Sequence, residues 1–186
     1  MPRNILKILD IFNPKFLNKI MKIIYSEKLP RILKNKKKLE KELKIKITNR
    51  GKEVFIRGKP EDEFIAEKVI DAVNFGFPIS TALLIKEEEF IFEVIPIKGH
   101  TKRKDLERVR ARIIGKKGKA LKTLCHLTKC YFELKDNELS IIGPAECMDI
   151  AQEAMISLIK GSKHANVYSR LEKHQPKPVI DLGLKK

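Results

Sequence analysis

Laid against itself so that Glu53 falls on Glu138, the sequence matches over one stretch without a gap. Glu53-Val54-Phe55-Ile56-Arg57-Gly58 falls on Glu138-Leu139-Ser140-Ile141-Ile142-Gly143. In the same register Leu39 falls on Leu124, Ile47 on Phe132, Ile65-Ala66 on Ile150-Ala151, and Gly76 on Gly161. A period of about 85 residues is too long for a solenoid repeat and suits a small domain. The 186-residue chain therefore reads as two tandem copies of one unit, at 1–86 and 87–175, with a flexible basic tail at 176–186. A hydrophobic fraction of 42% is enough to give each copy a core.

Charge follows the same two-part plan. Residues 1–50 carry a net +11, 51–97 a net −5, 98–123 a net +9, 124–159 a net −4, and 160–186 a net +5. A basic block followed by an acidic one occurs twice. The total of +16 exceeds what solubility needs and points to a polyanionic partner. No stretch of 18 apolar residues exists, which argues against a membrane span. Lys7, Asp10, Lys15, Lys19 and Lys22 interrupt the N-terminal apolar runs, so no signal peptide is expected. Three cysteines suit a reducing, cytoplasmic setting better than a disulfide scaffold.

The second copy is the more legible. Phe90–Ile95 is β-branched and aromatic and stops at Pro96, which predicts a strand. Residues 104–114 predict a helix with Leu106, Val109 and Ile113 on one face. Gly115-Lys116-Lys117-Gly118 breaks it. A second helix follows, with Leu121, Leu124 and Leu127 at helical spacing. Cys130–Leu134 and Glu138–Ile142 predict strands joined by a turn at Lys135-Asp136-Asn137. A long helix starts at Gly143-Pro144, buries Met148, Ala151, Met155 and Leu158, and ends at Gly161. Val167, Tyr168 and Leu171 predict one more short helix.

In the first copy, Ile5–Phe12 is the candidate first strand. Pro14 is expected to open a helix with Phe16, Leu17, Ile20, Met21 and Ile24 on its apolar face. A second helix is expected to end near Leu43. Ile45–Thr48 and Glu53–Arg57 form a hairpin, and a helix from Pro60 to Gly76 turns Ile65, Val69, Ala72 and Val73 inward. The expected fold is α+β: two tandem β-α-α-β-β-α units, each a three-stranded antiparallel sheet with helices on one face.

Two glycines bracketing two lysines between helices let a polypeptide backbone approach a phosphate chain closely. The N-terminus of the next helix adds free N–H groups and a positive dipole end. Those are the requirements of a type I K-homology (KH) domain, whose GxxG loop clamps about four nucleotides of single-stranded nucleic acid. The expected contacts are Ile114, Gly115, Lys116, Lys117, Gly118, Lys119 and Lys122, with Arg103, Lys104, Arg108, Arg110 and Arg112 before the loop. On a helix, 104, 108 and 112 share a face, so they read as an RNA-facing stripe or as a solvated one. A P-loop is excluded, because Ile113 and Ala120 stand where Gly and Ser or Thr would be needed. The first copy has no glycine before Gly51, and Pro30-Arg31-Ile32-Leu33 occupies the equivalent positions. It cannot form a GxxG loop. Its Lys34, Lys36, Lys37, Lys38 and Lys41 read equally as phosphate contacts or as solvated charge.

Cys125, His126 and Cys130 supply no four-ligand zinc set, and the two cysteines read as core or edge positions. The consecutive Glu87-Glu88-Glu89 does not converge on a cation. No catalytic constellation is found, so neither an enzyme nor a cofactor or metal is expected.

Arg110–Lys119, Leu127-Thr128-Lys129, Ile142-Gly143-Pro144, Gly161-Ser162 and Val167-Tyr168 together resemble the ribosome-biogenesis KH proteins called partner of Nob-one, in their archaeal form. Leu121–Tyr131 is also similar to the related Krr-one branch. The resemblance implies binding to single-stranded rRNA near the 3′ end of the small subunit. Implied partners are the 3′-end endonuclease, the rRNA dimethyltransferase and the initiation factor two alpha subunit. The family's loop falls on Gly115, Lys116, Lys117 and Gly118. The missing loop in the first copy departs from many archaeal relatives and suggests a protein-docking role there. The alternatives are a general KH protein of translation or RNA turnover, or an adaptor that mainly docks proteins.

Overall fold

The computed structural model describes residues 22–174. The described residues divide into two compact units, unit 1 up to Glu87 and unit 2 from Glu88. Unit 1 runs β1 (Lys22–Tyr25), α1 (Leu29–Lys34), α2 (Lys36–Leu43), β2 (Lys46–Arg50), β3 (Glu53–Arg57) and α3 (Pro60–Phe75). A short α4 (Ile79–Ala82) and a 3-10 turn (Leu83–Lys86) follow. Unit 2 runs β4 (Phe90–Pro96), a one-turn α5 (Ile97–His100), α6 (Leu106–Ile114), α7 (Lys119–Thr128), β5 (Tyr131–Lys135), β6 (Glu138–Pro144), α8 (Ala145–Lys160) and α9 (His164–His174).

Both sheets are antiparallel with the first and second strands flanking the third, in the orders β1-β3-β2 and β4-β6-β5. In unit 1, Ile24, Ile47, Val54 and Ile56 are buried, while Ile23 and Tyr25 on the same strand as Ile24 are exposed. Alternation along a strand thus assigns one face to the helices and leaves the other open. In unit 2, Ile95, Leu139, Ile141 and Phe132 turn the same way and pack with Val109, Ile113, Leu124, Met148, Met155 and Leu158. Val167 and Leu171 bring α9 onto that core.

The repeat survives as geometry. Lys44 and Lys129, equivalent in the repeat, both end a helix in the left-handed conformation, at φ 54° and 57°. A Cβ on Gly58 would meet Ile45 Cγ2 at 2.9 Å, and one on Gly143 would meet Cys130 Sγ at 2.3 Å. Gly143 and Cys130 are the repeat equivalents of Gly58 and Ile45, so each sheet approaches its helix-strand corner through an obligatory glycine.

The first strand of unit 1 differs from expectation. Ile5–Phe12, the start of the helix expected from Pro14, and the tail at 176–186 lie outside the described residues. The strand pairing with β3 is Lys22–Tyr25, with Ile23 opposite Phe55. Ile24, expected on a helix, is instead a core residue of β1. A short run such as Ile23-Ile24-Tyr25 fits a strand or a helix face, and β-branching favours the strand. Projecting the repeat back from Phe90 assumes equal spacing. The end of β1 at Tyr25 pairs with Glu53, and the end of β4 at Pro96 pairs with Glu138. The chain between the paired residues is much shorter in unit 1, so the equal spacing fails before the hairpin.

Candidate nucleic-acid interface

The shortening falls on the helix pair. In unit 1, α1 and α2 are separated by Asn35 alone, whose side chain donates to Arg31 O at 2.9 Å. Asn35 thus stands at the junction that the Gly115–Gly118 loop takes in unit 2, although in the 85-residue register the loop positions fall on α1. In unit 2, α6 and α7 are longer, and Gly115–Gly118 separates them.

That loop is strained in a way its sequence explains. Gly115 lies at φ 71°, ψ 176°, a region closed to other residues. A Cβ there would meet Ala120 Cβ at 2.5 Å and Ala120 N at 3.0 Å. Gly115 thus lets the chain leave α6 and fold flat against the first turn of α7. Gly118 is also left-handed, at φ 74°, but a Cβ on it would meet nothing within 4 Å. One glycine serves packing, and the other keeps an approach open. Between them Lys117 adopts φ 55°, ψ 31° without being a glycine, at a cost of about 1 kcal/mol. Gly118 N donates to Gly115 O at 3.1 Å and closes the turn.

Gly118 provides α7 with no side-chain cap; Lys119 N donates to Lys116 O, and the amides that follow it in the first turn have no side-chain acceptor. Lys116, Lys117, Lys119 and Lys122 are exposed and pair with no acid among the described residues. Ile114, 39% exposed, sits beside them. Leu121 and Cys125, one turn apart on α7, are only half-buried. The Cys125 thiol lies by the Phe132 backbone, which places that face of α7 along the edge strand β5. Helical spacing groups Leu121 with Leu124 and Leu127, but only Leu124 of the three is buried. Spacing carries no mark of partial exposure.

The arginines before the loop divide into two groups. Lys104 and Arg108 are exposed, and Arg108 N is held by the Asp105 cap at 3.0 Å. Arg110 Nη1 donates to Asp136 O at 2.6 Å, in the β5–β6 turn. Arg112 Nη2 donates to Gly161 O at 3.1 Å and also to Ser162 O. His164 Nε2 donates to Arg112 O at 3.0 Å. A Cβ on Gly161 would meet Arg103 Nη2 at 2.9 Å, so Arg103 lies over the same corner. Positions 104, 108 and 112 therefore do not act as one stripe. Arg110 and Arg112 anchor α6 to the hairpin and to the α8–α9 corner.

Burial raises the Cys130 thiol to about 11 and also lifts Cys125, Tyr168 and Asp71 above their usual ranges. No group of three or more His, Cys, Asp or Glu among the described residues converges as a metal site. No described helix is long and apolar enough to cross a membrane.

Residues 91–176 match the family of the second PNO1 KH domain, described as a eukaryotic-type KH-domain of type I. A KH domain-containing protein of Methanocaldococcus jannaschii is 32% identical over 149 residues, covering 76% of this chain and 66% of the relative. The chain belongs to the PNO1-type KH-domain family. Another relative, the pre-rRNA-processing protein pno1 of Aspergillus oryzae, is 32% identical over 111 residues, covering 58% of this chain and 43% of its own length. This PNO1-type chain thus spans about two thirds of the first relative and less than half of the second. Among solved structures, Dim2p of Pyrococcus horikoshii superposes with a TM-score of 0.75 at 26% identity, over 82% of this chain and 98% of that one. The a/eIF2alpha-aDim2p-rRNA complex from the same organism matches with a TM-score of 0.74 at 28% identity, over 86% and 96%. The likeness supports a KH-like fold.

Proposed function

We propose that the protein is an RNA-binding factor of small-subunit ribosome biogenesis. Unit 2 grips single-stranded rRNA near the 3′ end through Gly115–Gly118. The observation that carries this reading is the loop: two left-handed glycines, an uncapped helix start behind them, and four free lysines around them. Phosphates seat on the loop amides and the first turn of α7, with Lys116, Lys117, Lys119 and Lys122 supplying charge. Ile114, Leu121 and Cys125 offer apolar surface to the bases. Lys104 and Arg108 extend the basic field, while Arg110, Arg112 and Arg103 hold its geometry. The role is binding and presentation, without a chemical step.

Relatives named as pre-rRNA-processing and RNA-binding proteins support this reading, as does a solved neighbour bound to rRNA. The same neighbour includes a/eIF2alpha, which makes the initiation factor two alpha subunit the first protein partner to test. The 3′-end endonuclease and the rRNA dimethyltransferase complete the proposed set.

The test is fluorescence anisotropy with a single-stranded RNA copying the small-subunit rRNA 3′ end. Four phosphate contacts give a slope of log affinity against log salt near about −3. Lys116→Asp/Lys117→Asp should abolish most affinity and flatten that slope. Unchanged binding by the variant would overturn the reading.

A further inference from the structure

Unit 1 carries its own concentration of positive charge, spread along α1 and α2 and densest at the start of α2. Lys34, Lys37, Lys38, Lys41 and Lys44 are all exposed, and none pairs with an acid among the described residues. The two nearby acids are engaged elsewhere. Glu40 accepts from Ile47 N at 2.8 Å and faces Lys36 at 3.9 Å, while Glu42 pairs with Lys86 at 3.3 Å. Arg31 is also occupied, donating to Gly76 O at 3.0 Å. Lys37, Lys38 and Lys41 share α2 at spacings of three and four, where like charges on a helix repel, with Lys34 at the end of α1 and Lys44 just past α2. They lie away from the buried Leu39 and Leu43.

The placement is unfavourable for a second reason. Helix α2 has no acid in its first turn and no side-chain cap, and it opens with Lys36-Lys37-Lys38. The positive end of the helix dipole therefore faces three cations, the reverse of the stabilising arrangement. A polyanion lying along the helix relieves both penalties at once. No aromatic residue occurs from Lys28 to Lys46, and no glycine lets a backbone approach closely. Single-strand binders rely on stacking platforms and glycine loops. A row of point charges one helical turn apart, with neither feature, instead fits the phosphate ridge of a duplex.

We infer that the α1–α2 face of unit 1 is a second RNA surface, which binds double-helical RNA through its phosphates without reading sequence. This surface is independent of the single-strand grip proposed for unit 2.

The probe is a blunt RNA duplex of about 16 base pairs, titrated against the full chain across a salt series. Lys37→Glu/Lys38→Glu should weaken duplex binding about tenfold at 0.1 M salt and reduce the salt slope by roughly 2. The same variant should melt at or above the native temperature, because it places acids at the start of α2. Lys59→Glu/Lys173→Glu makes the same change in net charge on exposed sites elsewhere and should bind duplex nearly as the native chain does. Lys116→Asp/Lys117→Asp should retain duplex binding. The inference is overturned if the native chain does not bind the duplex or if the α2 variant binds it as tightly as native. It is also overturned if the loop or control variant loses as much affinity as the α2 variant.

Discussion

The two units share a scaffold and differ at one junction. Both have the same strand order, the same glycine at the sheet corner and the same left-handed lysine after the second helix. Both end their long helix at a glycine, Gly76 or Gly161. Where unit 1 turns between short helices on Asn35, unit 2 opens the Gly115–Gly118 loop between longer ones. The sheet and long helix make the fold, while on the proposed function the junction decides whether a single strand is clamped. Charge alone does not decide it, since both junctions are strongly basic.

Substitutions at the glycines separate scaffold from junction. Gly143→Ala should have the largest effect, because its Cβ would overlap Cys130 Sγ at 2.3 Å. We expect a loss of about 3 kcal/mol, read by chemical denaturation, with Gly58→Ala in unit 1 costing less because only the Ile45 methyl must give way. Gly115→Ala comes next, at about 2–3 kcal/mol, since it combines a closed backbone region with a clash on Ala120. Gly118→Ala should cost only about 1 kcal/mol while still weakening RNA binding, because its Cβ meets nothing in the fold and enters the phosphate approach. Equal stability losses at 115 and 118 would remove the division of labour between the two glycines.

Arg112→Ala should destabilise unit 2 by about 1–3 kcal/mol through the carbonyls of Gly161 and Ser162 left unpaired. Arg112→Lys should not restore the loss, since an ammonium cannot reproduce the planar fork. A variant that binds RNA less well at unchanged stability would instead make Arg112 a direct contact. The smallest effect is at Cys130. Its folded pKa of about 11 lies above the unfolded value near 9, so burial favours the neutral thiol. That contribution is intact below about pH 9 and is lost as pH rises through about 11. Alkylation at about pH 8 should therefore spare Cys130 until the protein is unfolded.

Unit 2 was legible in the sequence because each local signal agreed with the next. Gly161 and the Lys-Asp-Asn turn fall where the elements change, while β6 runs on through Gly143-Pro144, and the helix faces through Val109, Ile113, Met148 and Met155 are all buried. The loop was legible for the same reason, as a break in helical periodicity carrying charge. Unit 1 was legible only from Leu39 onward, where the repeat held. Before that, three apolar residues in a lysine-rich stretch did not distinguish a strand from a helix. The roles of Arg110 and Arg112 were not legible, because their acceptors are main-chain carbonyls far along the chain, at Asp136, Gly161 and Ser162. Nothing in a sequence marks a carbonyl as unpaired. The half-exposed face of Leu121 and Cys125 was not legible either, because spacing identifies a helix face and not how deeply each residue on it lies.

The central claim is that the junction of unit 2, and not that of unit 1, clamps a single strand. Amide hydrogen exchange on the full chain, with and without a short single-stranded RNA from the rRNA 3′ end, tests it most directly. Slowed exchange across Gly115–Lys119 and the first turn of α7, with α1 and α2 unchanged, is the predicted result. Protection confined to α1 and α2, with the Gly115–Lys119 amides unaffected, would contradict it.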